Sequence, residues 1–504
     1  IPYTEHLAGY FREKRAVFQI FLENSQFNFF RRCSLLYLIM IIFMTFSCDK
    51  KENLQNMRPN IILLLADDLG YNELGSYGQK IIKTPNLDRL ASDGMMFTDF
   101  YAGNAACAPS RAVLLTGKKS SKVSIRGNAG YYGDDIWEGA SLDKDEFTLG
   151  EMFKDAGYQT AFVGKWHLDQ PDDVETWAYG HGFDLAAQEQ WTARFGGRDF
   201  PPNRLWINGD KEYVNYDFKQ YDCKDHLRTN IALDFLDEKT QKKPFFLFMS
   251  YRAPHSFEGP IRDTLQYIKE DWPDIEKAHA AKITLLDRQV GRLIEKLKDS
   301  GDIDNTLILF TSDNGPHFAK GGHDLEFFDS NGVFKGGKRD LYEGGIRVPL
   351  IAYWKDKIKP DTQSNHVASF QDILPTFSDL IGYKELSKTD GISFLPTLLS
   401  KKQKFHDFLN WEFQLSGWFQ EIPNGGFRQS ARMGKWKAIR YNLDSDIEVY
   451  NLENDKGEIK DVAKMYPDVV KRAEIVFKHA RSDVEGFPYG GVKQNYKSMN
   501  KIVK

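Results

Sequence analysis

The stretch IILLLADDLG, residues 61–70, sets six consecutive apolar positions against a closing pair of carboxylates, Asp67 and Asp68. An apolar run without alternation marks a strand buried on both faces, as in a parallel sheet held between helices. The pattern recurs along the chain. Thr160 to Val163 ends in Gly164-Lys165-Trp166-His167, Pro244 to Met249 runs into Tyr251-Arg252-Ala253-Pro254-His255, and Leu307 to Thr311 ends in Ser312-Asp313-Asn314-Gly315. Helical periodicity lies between these runs, as from Ala278 to Leu297, where Ile283, Leu286, Val290, Leu293, Ile294 and Leu297 repeat at steps of three and four. Strands alternating with amphipathic helices predict an α/β fold, a mostly parallel sheet sandwiched by helices. Beyond about residue 400 the pattern becomes short alternating strands, Lys435 to Arg440 and Glu448 to Leu452, with a last helix around Pro467 to Ala480. The expected division is a main domain over 57–400 and a smaller antiparallel sheet plus helix over 401–504.

Composition narrows the function classes. The chain has 504 residues, 41% of them hydrophobic, enough for one large core and a smaller one. Its formal net charge of -4 argues against nucleic acid as a partner, since duplex binding needs a basic face. The cysteines, Cys33, Cys48, Cys107 and Cys223, show no spacing of a zinc site or a disulfide framework. Arg31 and Arg32 precede an apolar run from Leu35 to Phe46, too short for a comfortable membrane span, followed by Ser47, Cys48 and the polar tract DKKEN. Residues 31–48 thus resemble a bacterial lipoprotein signal with Cys48 as the lipidated residue. The expected location is the periplasm or a lipid anchor at the outer membrane or cell surface, with plain secretion as the alternative. Residues 1–30 are expected to be a non-native or mis-called extension.

Polar residues cluster just past each strand. Ligands of open parallel sheets bind at the carboxyl edge, so Asp67-Asp68, Lys165 with His167, His255 and Asp313-Asn314 can converge on one site. Asp67, Asp68, Asp313 and Asn314 offer hard oxygen donors, which favour calcium or magnesium over zinc or copper. Either pair alone also reads as a solvated loop or a helix cap. Lys165 and His167, at alternate positions, can present a cation and a general base to one pocket, or be a solvated lysine and a structural histidine. Lys338 follows Gly336 and Gly337, which permit close backbone approach to a ligand or simply a flexible loop. The stretch CAPSRAVLLTGK, residues 107–118, adds a cysteine. Pro109 breaks the preceding segment and the residues after it start a helix. Cys107 then lies at a helix N-terminus with Arg111 one turn on, a setting for an anionic ligand and an activated nucleophile. A buried structural cysteine is the other reading.

CAPSRAVLLTGK resembles the first signature of the type I, formylglycine-dependent sulfatases of the alkaline phosphatase superfamily, and GYQTAFVGKWH (157–167) resembles their second. DDLG, TSDNG and KRDLYEGGIRVP (338–349) complete a likeness running from about Pro59 to the C-terminal hairpin. The resemblance implies an alkaline-phosphatase-like fold and oxidation of Cys107 to formylglycine (3-oxoalanine) by a maturation enzyme. It implies calcium, with magnesium or manganese as lesser candidates, held by Asp67, Asp68, Asp313, Asn314 and residue 107. A hydroxyl of the aldehyde hydrate at 107 would attack sulfur, with Lys165 and Lys338 neutralising the sulfate and Arg111 holding the diol. His255 would protonate the leaving oxygen and His167 would take the proton that releases sulfate. The stretch GGHDLEFFDSNGVFKGGKRDLYEGGIR resembles a subgroup acting on galactose-type residues of sulfated polysaccharides, except that Lys335 stands where that subgroup has arginine. His317, His323 and Lys335 are candidates to line the substrate pocket, with surface loop histidines as the equal reading for the first two, and Trp191, Trp206, Trp411 and Trp418 can stack on sugars, with core packing as the default for each. The expected partner is a sulfated oligosaccharide or polysaccharide. The alternatives are a formylglycine-dependent phosphonate or phosphodiester hydrolase and a non-catalytic sulfated-glycan binding protein.

Overall fold

The computed structural model describes residues 58–133, 137–170, 172–189, 204–217, 220–239, 243–256, 265–318, 322–386, 389–415 and 426–492. The segments read as an extension and as a lipoprotein signal, with Cys33 and Cys48, lie outside the described residues, as do Trp191 and Trp418. None of the described helices is long and apolar enough to cross a membrane.

Among the described residues ten strands form the main sheet: β1 (Asn60–Asp67), β2 (Met95–Phe97), β3 (Gln159–Lys165), β4 (Leu185–Glu189), β5 (Arg204–Ile207), β6 (Tyr213–Asn215), β7 (Phe245–Pro254), β8 (Thr306–Ser312), β9 (Leu350–Tyr353) and β10 (Thr362–Ser364). Their order is β10-β2-β9-β8-β1-β7-β3-β4-β5-β6. The centre is parallel, β8 with β1, β1 with β7, β7 with β3 and β3 with β4. Antiparallel pairs flank it on both sides. The four apolar runs read from sequence are the four adjacent strands β8, β1, β7 and β3.

Burial on both faces is split by the two-residue period of a strand. Ile61, Leu63 and Leu65 face a core with Phe246, Phe248 and Leu309, covered by the helices α1 (Cys107–Thr116), α2 (Leu149–Asp155) and α3 (Ile373–Ile381). Ile62, Leu64 and Ala66 face the opposite core, with Leu247, Met249 and Phe310, covered by α4 (Lys224–Glu238) and α5 (Asp274–Ser300). Ile283, Leu286, Val290, Leu293 and Leu297 of α5 are buried there, as their periodicity predicts. A capping box begins α2: the Thr148 side chain accepts from the Glu151 N–H while the Glu151 side chain accepts from the Thr148 N–H.

Register decides where the site forms. Leu65 lies opposite Ser250 and Thr311, and Ala66 opposite Ser312. Ser250 in turn lies opposite Gly164. The carboxyl ends of β3, β7, β1 and β8 are therefore level, and each delivers its polar residues to one edge.

The smaller sheet has four antiparallel strands in sequential order, β11 (Leu409–Gln414), β12 (Phe427–Met433), β13 (Trp436–Arg440) and β14 (Glu448–Asn451). The helix α6 (Pro467–His479) covers it through Ala473, Val476 and Phe477. Leu409, Trp411 and Phe413 of β11 pack on Tyr101, Ala105 and Ala106, the chain leading into Cys107. Two tryptophans take the core-packing reading. Trp411 is buried against Tyr101 with its Nε1 donating to the Ala102 carbonyl at 2.9 Å, and Trp206 is buried on β5.

Candidate active site

Helix α1 begins at Cys107, two residues ahead of Pro109, so the proline sits inside the first turn, where its missing N–H has no intrahelical partner to lose. Every residue of the helix is buried. Cys107 Sγ lies 3.4 Å from Asp67 Oδ1 and 3.9 Å from Asp68 Oδ1. Burial pushes the Cys107 thiol up to about 12, against the opposing field of Lys165 and Lys338. This departs from the expectation of an activated thiol: desolvation outweighs the local positive charge, and the encoded sulfur is protonated at neutral pH.

Around residue 107 the strand ends form paired charges. Lys165 Nζ donates to Asp67 Oδ2 at 2.6 Å, and Lys338 Nζ donates to both oxygens of Asp68 at 2.6 and 2.7 Å. Arg111 reaches Asp313 Oδ2 through Nε at 3.0 Å and through its second terminal nitrogen at 2.8 Å. Its other terminal nitrogen donates to the Lys165 carbonyl at 2.6 Å and to Ser250 Oγ at 2.5 Å. Asn314 Nδ2 donates to Asp68 Oδ1 at 2.8 Å, and His255 Nε2 lies 3.5 Å from Asp68 Oδ2. The structure thus brings together Asp67, Asp68, Cys107, Arg111, Lys165, His255, Asp313, Asn314 and Lys338, all buried, and sets His167 two residues past Lys165 within the same field.

That field sorts the protonation states. Burial alone would raise Asp67, but Lys165, His255, Arg111 and Lys338 overcome it and hold the carboxyl well below its usual range. Asp313 moves the other way, to about 6, through burial and the nearby charge of Asp67. Burial, then Lys165 and Arg111, push His167 well below the usual imidazole value. Burial also depresses His255, with Asp67 opposing and Lys338 adding to the shift. Both imidazoles are neutral at neutral pH, able to accept a proton. Asp68 and His167 adopt left-handed backbone, φ 68° and 64°, as the chain leaves β1 and β3; strain of this kind is held where surrounding contacts over-determine it.

The donor set fits a hard divalent cation. Asp67, Asp68 and Asp313 supply carboxylate oxygens, and Asn314 Oδ1 is buried without a hydrogen-bond partner while its Nδ2 is satisfied by two acceptors. An orphaned buried carbonyl among three carboxylates suits calcium or magnesium.

Among the candidates for substrate contact, His317 lies with its ring parallel to that of His255, centroids 6.3 Å apart, on a cleft that is also lined by Asp68, Lys282 and His323. His323 turns its Nε2 to Ser330 Oγ at 2.8 Å and toward Glu73 Oε1 at 3.3 Å. Lys335 is not drawn to the cluster. Its ammonium sits 3.8 Å from the centroid of the Tyr342 ring and 3.5 Å from the Glu458 carbonyl, because the turn at Gly336 directs it toward the smaller sheet while Lys338 enters the site. Sequence reading missed Ser250, which accepts from Arg111 and donates to the Lys165 carbonyl at 2.6 Å. A serine inside an apolar strand run was its only signal. It also missed Arg339, next to Lys338 and within the field of Asp68 and Cys107.

The Sulfatase family model matches residues 59–383, and that of the N-sulphoglucosamine sulphohydrolase C-terminal region matches 331–480. The chain is 33% identical over 362 residues to the N-acetylgalactosamine-6-sulfatase of Mus musculus, an alignment spanning 68% of this chain and 66% of that protein. It is 32% identical over 409 residues to the uncharacterized sulfatase YdeN of Escherichia coli (strain K12), spanning 72% of this chain and 70% of YdeN. The crystal structure of Ps i-CgsB in complex with k-i-k-neocarrahexaose superposes with a TM-score of 0.72 at 28% identity, over 86% of this chain and 95% of that one. With more than half of its length matched by the family model and an alkaline-phosphatase-like sheet carrying the site at its carboxyl edge, the chain belongs to the Sulfatase family.

Proposed function

We propose that this protein hydrolyses sulfate esters of a sulfated polysaccharide or oligosaccharide, using residue 107 as its hydrated formylglycine. The carrying observation is that Cys107 lies 3.4 Å from Asp67 within the field of Lys165 and Lys338, yet its thiol is held up at about 12. The surroundings suit transfer of an anionic group, and the thiol does not suit the transfer. An aldehyde hydrate supplies two hydroxyls in its place. A calcium ion held by Asp67, Asp68, Asp313 and Asn314 would supply positive charge beside residue 107.

Lys165 and Lys338 bind and orient the sulfate oxygens, and Arg111, anchored by Asp313, holds the diol in place. One hydroxyl of residue 107 gives up its proton to solvent as its oxygen forms the bond to sulfur and the sulfur–oxygen bond to the sugar breaks. The charge of a bound sulfate beside His255 raises its proton affinity, so the imidazole that is neutral in the empty site takes up the proton it delivers to the departing sugar oxygen. His167 then accepts the proton of the remaining hydroxyl, the carbon–oxygen bond to sulfate breaks, and the aldehyde returns for rehydration. The depressed His167 value keeps its ring unprotonated at neutral pH, the form this step requires. The mouse relative's name carries a galactosamine sulfate, and Ps i-CgsB was crystallised with a neocarrahexaose; both favour a galactose-type glycan. The mature chain in this reading works in the periplasm or at the cell surface, anchored through Cys48.

The test takes protein from a host with the maturation enzyme and presents matched sulfate and phosphate esters, then sulfated carrageenan, ulvan, chondroitin and fucan oligosaccharides. Sulfate release from one glycan class, lost in Cys107→Ala, is expected. A strong preference for phosphodiester would assign the chain to phosphonate or phosphodiester hydrolysis. An intact thiol at Cys107 by mass spectrometry, with glycan bound and unchanged, would make it a binding protein.

A further inference from the structure

A second cluster lies beside the catalytic one. The loop leaving β1, the second turn of α5 and the loop over 322–330 bring together Glu73, His279 and His323, which are 0%, 6% and 5% exposed. Glu73 Oε2 accepts the Gly70 N–H at 2.7 Å, leaving Oε1 to face His279 Nε2 at 2.7 Å and His323 Nε2 at 3.3 Å. The two imidazoles lie face to face with centroids 3.4 Å apart and planes 15° from parallel, and Ser330 Oγ is 2.8 Å from His323 Nε2.

A carboxylate removed from water needs a positive partner. Among the described residues the charged partners of Glu73 are these two imidazoles, and stacked rings cannot both take a proton without strong repulsion. One donor atom from each of Glu73, His279 and His323 lies within 4.8 Å of the others. Two imidazole nitrogens and one carboxylate oxygen, with one side open to a cleft, are the borderline donor set that zinc prefers over calcium. The cleft is lined by Asp68, Lys282 and His317 as well as His279 and His323, so this set shares an entrance with the hard-oxygen set without sharing a donor.

We infer that Glu73, His279 and His323 form a binding site for a divalent ion of the zinc class, distinct from the Asp67, Asp68, Asp313 and Asn314 set. A bound ion would tie the β1 loop, α5 and the 322–330 loop together at the wall of the cleft.

The whole chain, stripped with EDTA and reloaded with saturating Ca2+, is titrated with ZnCl2 by calorimetry and followed by thermal unfolding. One further equivalent of Zn2+ and a rise in Tm are expected. His279→Ala and His323→Ala should bind that equivalent at least 100-fold more weakly, whereas His323→Asp, which keeps a donor, should lose less. Absence of the extra equivalent, or equal affinity in wild type and both alanine variants, overturns the site and leaves a hydrogen-bonded proton cluster. Should the alanine variants not fold, anomalous scattering at the zinc edge from wild-type crystals soaked in ZnCl2 decides. A peak between Glu73 Oε1 and the two Nε2 atoms supports the site, and no peak there overturns it.

Discussion

At the scale of single residues, the same low-dielectric pocket acts in opposite directions on neighbouring groups. It lifts the Cys107 thiol and depresses His167 and His255, because in each case the neutral form is the one burial favours. A sugar alkoxide is a poor leaving group and needs a proton, while nitrophenolate leaves without one. His255→Ala should therefore slow sulfate release from a sugar substrate by about 100-fold or more and from nitrophenyl sulfate by less than about tenfold. An equal loss on both substrates would show that His255 positions the site and does not donate the proton. Asn314 contributes the one carbonyl oxygen of the hard-donor set that has no hydrogen-bond partner. Asn314→Ala should weaken Ca2+ binding roughly tenfold or more by calorimetry, while Arg111 still braces Asp313.

At the scale of elements, strand register carries the chemistry. Gly164 ends the apolar part of β3 with φ 121°, and a Cβ there would sit 1.9 Å from the Ser250 carbonyl oxygen of β7. The close approach of β3 to β7 lets Ser250 Oγ meet the Lys165 carbonyl and the Arg111 guanidinium together. Gly164→Ala should destabilise by about 2–3 kcal/mol in chemical denaturation, through both the forbidden φ and the clash. It should lower turnover further than the folded fraction alone explains, since Arg111 loses its seat. A stable, fully active variant would show that the two strands separate without cost.

At the scale of the whole molecule, the smaller sheet is fastened to the main one by buried charges. Lys437 of β13 lies 2.8 Å from Glu343 Oε1 and 3.8 Å from Glu458 Oε1, and Glu458 Oε2 accepts the Glu343 N–H at 2.7 Å. Two carboxyls share one lysine. Glu343, with Arg347 and Arg432 also near, is held down at about 2 despite its burial, whereas burial pushes Glu458 up to about 8, with Lys437 opposing. A carboxyl whose folded value exceeds its unfolded one gives stability that is complete below the unfolded value, about 4.5, and lost as pH rises through about 8. Thermal unfolding of the wild type should thus lose stability between pH 5 and pH 8 from this source. Glu458→Gln, neutral throughout, should show a flatter profile and gain on the wild type toward pH 8. Parallel profiles would mean that Glu458 ionises freely in the fold.

The sequence by itself determined the α/β class, the four central strands, helix α5 and the residues at the strand ends, because period-two and period-3.6 burial and the chemistry of a sheet's carboxyl edge are local properties. Tertiary structure alone decided which ends stand level, that Lys165 meets Asp67 and Lys338 meets Asp68, and that Lys335 turns away while Ser250 turns in. It alone decided that Trp206 and Trp411 are core and that the Cys107 thiol is silenced by burial. Glu73 and His279, carried by no motif, meet His323 only when three distant segments fold together. Pairing, burial and field strength depend on the distance between residues far apart in the chain, and no local pattern encodes that distance.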